Sequence, residues 1–287
     1  MAEIAYLNGA FLPLKDAVIS IEDRAFQFAD GIYEVIRVYN TQPFCLNEHL
    51  QRLERSAAGI LLSLPLSINE FSDICGEVIK RSAFKDAWIY IQVTRGVFPR
   101  RHNFPPDTVP PTVIVYIREF KERPAEWRQQ GVDVIAVPDI RWKRCDIKST
   151  SLLPNVLAKE QAIRAGAFEA IQINEDGNVT EGSSTNVYFI KKNMLYTYPI
   201  GEGILSGITR YVVFSIATQA GLTVREEAHP LEDYLGADEV FLTSTTIEIV
   251  PVRSIDGTPI NNGKMPGKYT MHMYQLYREE VQRVCAL

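Results

Sequence analysis

Two apolar, β-branched runs, AWIYIQVTRG and TVIVYIREF, stand on either side of VFPRRHNFPPDTVPP and restrict the folds open to this chain. Runs of that composition read as strands. Proline and glycine at the density of the intervening stretch make a constrained loop, of the kind that displays functional side chains. The stretch IAYLNGAFL sets Asn8-Gly9 between two apolar pieces, the short-range signal for a hairpin, and GIYEVIRVYN has strand character again. Between Glu48 and Leu64 the spacing turns helical, with Leu50, Leu53, Ala57 and Ile60 on one side, and a second helix is expected from Asn69 to Arg81.

Past the charged, proline-bearing FKERPAEW the alternation resumes. VDVIAVPDIRW reads as strand and SLLPNVLAKEQAIRAGA as helix. FEAIQINEDGNVTEGSSTNVYFIKKNMLYTY reads as strands and tight turns, and YTMHMYQLYREEVQRVCAL as a final helix. In ILSGITRYVVFSIATQAG a helix is expected to start near Ser206 and stop at Gly221. Mixed elements in both halves predict an α+β or α/β architecture, and 287 residues suffice for two domains. The boundaries expected are 1–120 for a small N-terminal domain, 121–126 for a linker and 127–287 for a larger C-terminal domain.

Composition narrows the function. A formal charge of -5, with Lys and Arg spread among acids, leaves no footprint for a nucleic-acid backbone. No run approaches the roughly 18 apolar residues of a membrane helix, and the N-terminus lacks a basic, apolar leader, so a cytoplasmic enzyme is expected. Cys45, Cys75, Cys145 and Cys285 form no CxxC pair, and His49, His102, His229 and His272 form no close ligand pair. Neither a disulfide framework nor a metal site is expected.

Chemistry could reside in four places. Lys148 follows a strand-like run and precedes Ser149, Thr150 and Ser151. Alone it reads as an exposed lysine, whereas in a pocket it becomes a neutral amine able to condense with an aldehyde. Gly207-Ile208-Thr209-Arg210 precedes a helix, so its amides and the Thr209 hydroxyl could cradle a phosphate, and Thr243-Ser244-Thr245-Thr246 adds further donors; ordinary caps and polar turns are the plainer reading of both. Thr180-Glu181-Gly182-Ser183-Ser184-Thr185-Asn186 places an acid in a tight turn, either a plain turn residue or the carboxylate that keeps a pyridine nitrogen protonated.

Taken in order, DGIYEV, NEHLQRL, QVTRGVFPRRHNFP, DIRWKRCDIKS, NVTEGSSTNVYFI, ILSGITR and FLTSTT resemble the fold-type IV pyridoxal-phosphate family, and most of all its D-amino-acid transaminases. The likeness runs from about Asn8 to Tyr277. It implies a two-domain α+β fold, with a smaller N-terminal α/β domain, a larger C-terminal domain built on a barrel-like sheet, and pyridoxal 5'-phosphate between them. By the same resemblance Lys148 is the Schiff-base lysine and proton shuttle, and Glu181 is the partner of the pyridine nitrogen. Arg52, the amides of Ile208 and Thr209 with the Thr209 hydroxyl, and the Ser244-Thr245 turn are expected to hold the phosphate, and Leu205 to pack on the ring. Before the family is considered, Arg52 reads as a solvated arginine or an intrahelical partner of Glu48.

Tyr33, Arg100 and His102 match residues that surround the substrate carboxylate in D-amino-acid transaminases. A planar arginine fork suits both carboxylate oxygens. In the family Arg100 and His102 come from the neighbouring subunit, which implies a homodimer; the plainer reading is a basic exposed loop. The expected reaction moves an amino group between D-amino acids and 2-oxo acids in two half-reactions. Competing relatives are the branched-chain L-amino-acid transaminases, which this chain resembles at Arg37, the (R)-amine transaminases and the aminodeoxychorismate lyases. A reading of a different class is a noncatalytic dimeric homologue that binds small molecules, whose usual mark is loss of the lysine or its acidic counterpart.

Overall fold

A computed structural model describes residues 2–285, and the last two positions of the expected final helix lie outside the described residues. The chain forms two compact units. One comprises the chain up to Lys121 with Ile147–Ser151 and the end from Arg283; the other comprises Glu122–Asp146 and Leu152–Gln282.

The first unit is an antiparallel six-stranded sheet in the order β2-β1-β6-β5-β3-β4. Its strands are β1 (Ile4–Leu7), β2 (Ala10–Pro13), β3 (Gly31–Tyr39), β4 (Gln42–Pro43), β5 (Ala87–Thr94) and β6 (Thr112–Glu119). Asn8 and Gly9 turn the first hairpin with φ of 48° and 99°, values that asparagine and glycine tolerate and β-branched residues do not. The helices are α1 (Arg24–Phe28), α2 (Leu46–Gly59) and α3 (Ile68–Ser82). α3 opens on a capping box in which Ser67 and Glu70 satisfy each other's amides.

Period-two alternation decides the two faces of this sheet. Ile32, Ile36 and Val38 of β3, Ile89 and Ile91 of β5 and Val115 and Ile117 of β6 are buried in one core with Leu50, Leu53 and Ala57 of α2 and Phe71, Ile74 and Val78 of α3. The other face carries Tyr33, Tyr90, Tyr116 and Trp88, with Tyr33 stacked on Tyr90 and Tyr90 on Tyr116. Arg37 shares that face. Its guanidinium lies over the rings of Tyr39 and Phe120 and donates to the carbonyls of Val38 and Ala87, so this arginine finishes a strand end.

The second unit is a mixed nine-stranded sheet. Eight strands follow the order β12-β11-β10-β13-β14-β7-β8-β9, and β15 pairs with β14. They are β7 (Val132–Pro138), β8 (Glu169–Ile173), β9 (Val179–Gly182), β10 (Asn186–Lys191), β11 (Met194–Thr197), β12 (Thr223–Glu226), β13 (Glu239–Ser244), β14 (Glu248–Ile255) and β15 (Thr258–Pro259). Helices α4 (Glu126–Gln129), α5 (Leu153–Arg164), α6 (Ile208–Ala217), α7 (Leu231–Leu235) and α8 (Lys268–Cys285) complete the order. β9 and β10 stand five strand positions apart, roughly 24 Å on a flat sheet. Only three residues join them, a reach of about 15 Å. The sheet must therefore curl, which is the barrel-like form expected. α6 is capped by Gly207, within the expected start around Ser206, and ends at Ala217, four positions short of the expected stop at Gly221, which is left-handed at φ 77°. No described helix is long and apolar enough to cross a membrane.

Candidate active site

In the first unit, the segment Ile147–Ser151 is strapped to the start of β3 by backbone. The Tyr33 amide donates to the Lys148 carbonyl (2.9 Å), the Thr150 amide to Gly31 (2.9 Å), and the Lys148 amide to the Ser56 hydroxyl of α2 (3.1 Å). These peptide and hydroxyl groups hold one lysine in register. Lys148 Nζ lies 4.2 Å from the centre of the Tyr33 ring, and no described carboxylate of this unit forms an ion pair with it. No described carboxylate of this unit therefore ties up the amine, which leaves it of a kind able to condense with an aldehyde.

Beneath it the expected Arg52 stands in a cluster with two residues that the motifs did not single out, Glu34 and His49. Glu34 occupies the core face of β3 between Ile32 and Ile36 and is fully buried. Arg52 of α2 donates to both its oxygens, Nε at 2.7 Å and Nη2 at 2.9 Å, and His49 Nδ1 meets it at 2.7 Å. The partner of Arg52 is thus Glu34, not the Glu48 of its own helix, because α2 packs its inward face on β3. Burial works against the Glu34 charge, but Arg52 and His49 together hold the carboxyl far below the usual carboxylate range. Burial, aided by Arg52 and Lys148, keeps the His49 imidazole toward its neutral form against the pull of Glu34. The available signal was parity: Glu34 falls in phase with buried Ile32 and Ile36, and His49 and Arg52 flank buried Leu50.

Of the three expected carboxylate-binding residues, two come together. The Arg100 guanidinium stands 4.8 Å and the His102 ring 5.3 Å from the centre of the Phe28 ring, and both residues are exposed. Tyr33 instead meets Lys148 and Tyr90.

In the second unit the crowded turn between β9 and β10 presents Glu181. Gly182 is required there, since a Cβ would stand 2.0 Å from the Thr185 hydroxyl. Buried Glu181 accepts from Arg141 Nη1, from Asn186 Nδ2 (3.1 Å) and from the Leu205 amide (3.2 Å to each oxygen). Arg141, a third residue that the motifs do not single out, is shared: Nε and Nη2 donate to Asp139 at 2.9 and 2.6 Å, and Nη2 reaches the Gly203 carbonyl at 3.1 Å. It stands among other cations in DIRWKRCDIK, where nothing in the spacing distinguishes it. Burial pushes the Glu181 carboxyl up to about 7, against Arg141 and the Leu205 amide and with the help of Asp139.

The Leu205 backbone is held at both ends, its amide by Glu181 and its carbonyl by Asn186 Nδ2 (3.0 Å). Gly207 follows, and a Cβ there would stand 2.1 Å from Asn186 Oδ1. Ile208 and Thr209 occupy the first turn of α6, whose amides have no partner within the helix. Ser244 ends β13 and Thr245 opens the turn to β14, both half-buried. A phosphate, a cationic ring nitrogen and an aldehyde are the groups that these amides and hydroxyls, this carboxylate and this lysine respectively suit.

The Amino-transferase class IV family matches residues 31–255. The D-alanine aminotransferase of Staphylococcus aureus (strain N315) is 42% identical over 280 residues, 98% of each chain, and that of Bacillus licheniformis is 45% identical over 266 residues, 93% of each. Among solved structures, a T.th. branched-chain amino acid aminotransferase with pyridoxamine 5'-phosphate superposes with a TM-score of 0.91 at 29% identity, covering 99% of this chain and 95% of that one.

Proposed function

The chain belongs to the amino-transferase class IV family, and from that premise we propose that it is a pyridoxal-phosphate-dependent transaminase acting on D-amino acids and 2-oxo acids. The observation that carries the reading is the joint presence, in a relative of D-alanine aminotransferases, of a strapped lysine that pairs with no described carboxylate of its unit and a buried carboxylate held by three donors. A noncatalytic homologue has no use for both.

When bound, pyridoxal phosphate supplies an aldehyde to the amine and an electron-withdrawing ring that acidifies the substrate α-carbon. Lys148 Nζ is then the base that takes the α-proton and the acid that returns it, and its backbone straps keep it on one face of the substrate. Glu181 keeps the ring nitrogen protonated, and Arg141, Asn186 and the Leu205 amide hold its carboxylate in place. Arg52, oriented by Glu34, would hold the phosphate with the Ile208 and Thr209 amides, the Thr209 hydroxyl and the Ser244-Thr245 turn, and Leu205 would pack against the ring. Tyr33, Arg100 and His102 would bind the substrate carboxylate, the latter two reaching the site of a second protomer in a cytoplasmic homodimer. The chain's likeness to the branched-chain group at Arg37 carries little weight, because that side chain is spent on two carbonyls and two rings.

The test offers the loaded protein D-alanine or L-alanine, each with 2-oxoglutarate, and quantifies pyruvate and both enantiomers of glutamate. Pyruvate with D-glutamate from D-alanine alone is expected. Turnover confined to L-alanine would sink the D-specific reading in favour of the branched-chain side of the family, and silence with both would turn attention to amines and lyase substrates.

A further inference from the structure

We infer that Arg24 is the positioning residue that shapes the Arg100–His102 loop for a substrate carboxylate, an inference that rests on the carboxylate-binding role proposed for that loop. Arg24 begins the short helix α1, a place where a surface arginine would be ordinary, yet it is only 3% exposed. Its Nη1 donates to two carbonyls of the loop, Arg101 at 2.6 Å and Asn103 at 3.3 Å, which flank His102 on either side. Its Nε is anchored on Asp30 at 2.8 Å, and its guanidinium stands 4.9 Å from the centre of the Phe28 ring. That ring is also where Arg100 and His102 meet. One cation thus holds the backbone of the loop while the neighbouring ring gathers its two functional side chains.

The surroundings make Arg24 an anchor with little freedom. Its amide donates to Gly96, the Phe98 amide donates to Glu22, and the α1 cap Asp23 accepts from the Ala25 amide and the Thr94 hydroxyl. The root of the loop is therefore pinned by backbone, and beyond Pro99 the bonds from Arg24 take over. Arg95 also donates to Asp30, with Nε at 2.9 Å, so the carboxylate keeps a cation when Arg24 is removed. The Arg101 and Asn103 carbonyls belong to exposed residues and can turn to water. Loss of Arg24 consequently loosens the loop without leaving a buried charge unpaired. The cost falls on binding, since an unshaped loop must be ordered each time a carboxylate arrives.

The experiment compares wild type, Arg24→Met, Arg24→Lys, Arg100→Leu and Arg24→Met/Arg100→Leu as cofactor-loaded enzymes, reading KM and kcat for D-alanine, the inhibition constant of propionate as a carboxylate probe, and cofactor affinity. In Arg24→Met, KM and the propionate constant are expected to rise about tenfold or more, the scale of one lost charge-assisted hydrogen bond, with kcat changed less than KM and cofactor affinity retained. Arg24→Lys, which can face Asp30 but cannot fork to two carbonyls, is expected to fall between, and serves as the test if the methionine variant does not fold. In the Arg100→Leu background the Arg24 change should add less than about twofold, because both act through one loop. Full additivity, an unchanged propionate constant, or an equal loss of cofactor affinity would overturn the role of Arg24. An unchanged propionate constant in Arg100→Leu alone would instead remove the carboxylate reading of the loop, and this inference with it.

Discussion

Glu34 and Glu181 are the same residue type, both are buried, and both are held by an arginine, yet their carboxyls are driven in opposite directions. Glu34 owns two bonds from Arg52 and a third from His49. Glu181 receives only one arm of Arg141, whose Nε and Nη2 are turned to Asp139, and Asp139 adds repulsion of its own. Two arms of one guanidinium, joined by His49, overcome the cost of burial, and a single arm shared with a second carboxylate does not. The first arrangement makes an anchor that stays ionised. The second leaves a carboxylate whose charge answers to what stands beside it, which suits the role proposed for it beside a cationic ring nitrogen.

The comparison breaks most visibly in activity. Glu181→Gln keeps an acceptor for the Leu205 amide but removes the charge, and kcat of the loaded enzyme is expected to fall on the order of 10²–10³-fold with the thermal midpoint little changed. Steady-state rates with D-alanine, set beside thermal melts, check it. Glu34→Gln should do the reverse in kind: Arg52 and His49 lose the buried carboxylate charge that they share, and stability measured by urea unfolding is expected to drop by about 3–5 kcal/mol.

The pH dependence sharpens the contrast further. The Glu34 carboxyl is lowered on folding, so its contribution is present above the ordinary carboxylate value of 4.5 and is lost as the medium becomes more acid. The Glu181 carboxyl is raised to about 7 from 4.5, so in the protein without cofactor its protonated form favours folding at low pH and that advantage disappears as pH rises from 4.5 to 7. Thermal melts across this range should show a decline in the wild type that Glu181→Gln lacks, whereas Glu34→Gln should blunt the loss below 4.5. The smallest effect is expected from Asp139→Asn. Relieved of its second carboxylate charge, Arg141 serves Glu181 more fully, and the decline between pH 4.5 and 7 should shrink by about 1 kcal/mol or less. An unchanged slope in that variant would mean that the sharing of Arg141 is not what lifts Glu181.

Much of this arrangement was legible in the amino-acid order because its causes are local. Asn8-Gly9 makes the first hairpin by its own backbone preferences, Ser67 and Glu70 cap α3 within one turn, and the phase of Leu50, Leu53 and Ala57 names the buried side of α2. Lys148, Glu181, Thr209 and Thr245 stand in long motifs whose order along the chain carries the family. Arg52 shows where this stops. Its residue type and place were legible, but the acid one turn back along the helix, Glu48, was the wrong partner.

The chain by itself determined the strands and helices, the curled sheet that the family likeness implied, and the residues able to carry chemistry, since propensity, periodicity and turn geometry act over a few neighbouring residues. Which side chains pair was settled by folding alone. Glu34 with Arg52, Glu181 with Arg141, and Arg24 with the carbonyls of Arg101 and Asn103 are separated by 18, 40 and up to 79 positions, and each joins segments that meet only after strands align and helices pack. A charge read from sequence has a sign and a reach of a few ångströms. Which opposite charge lies within that reach, and how many others share it, is settled by packing, and with it whether a carboxylate anchors the fold or responds to a ligand.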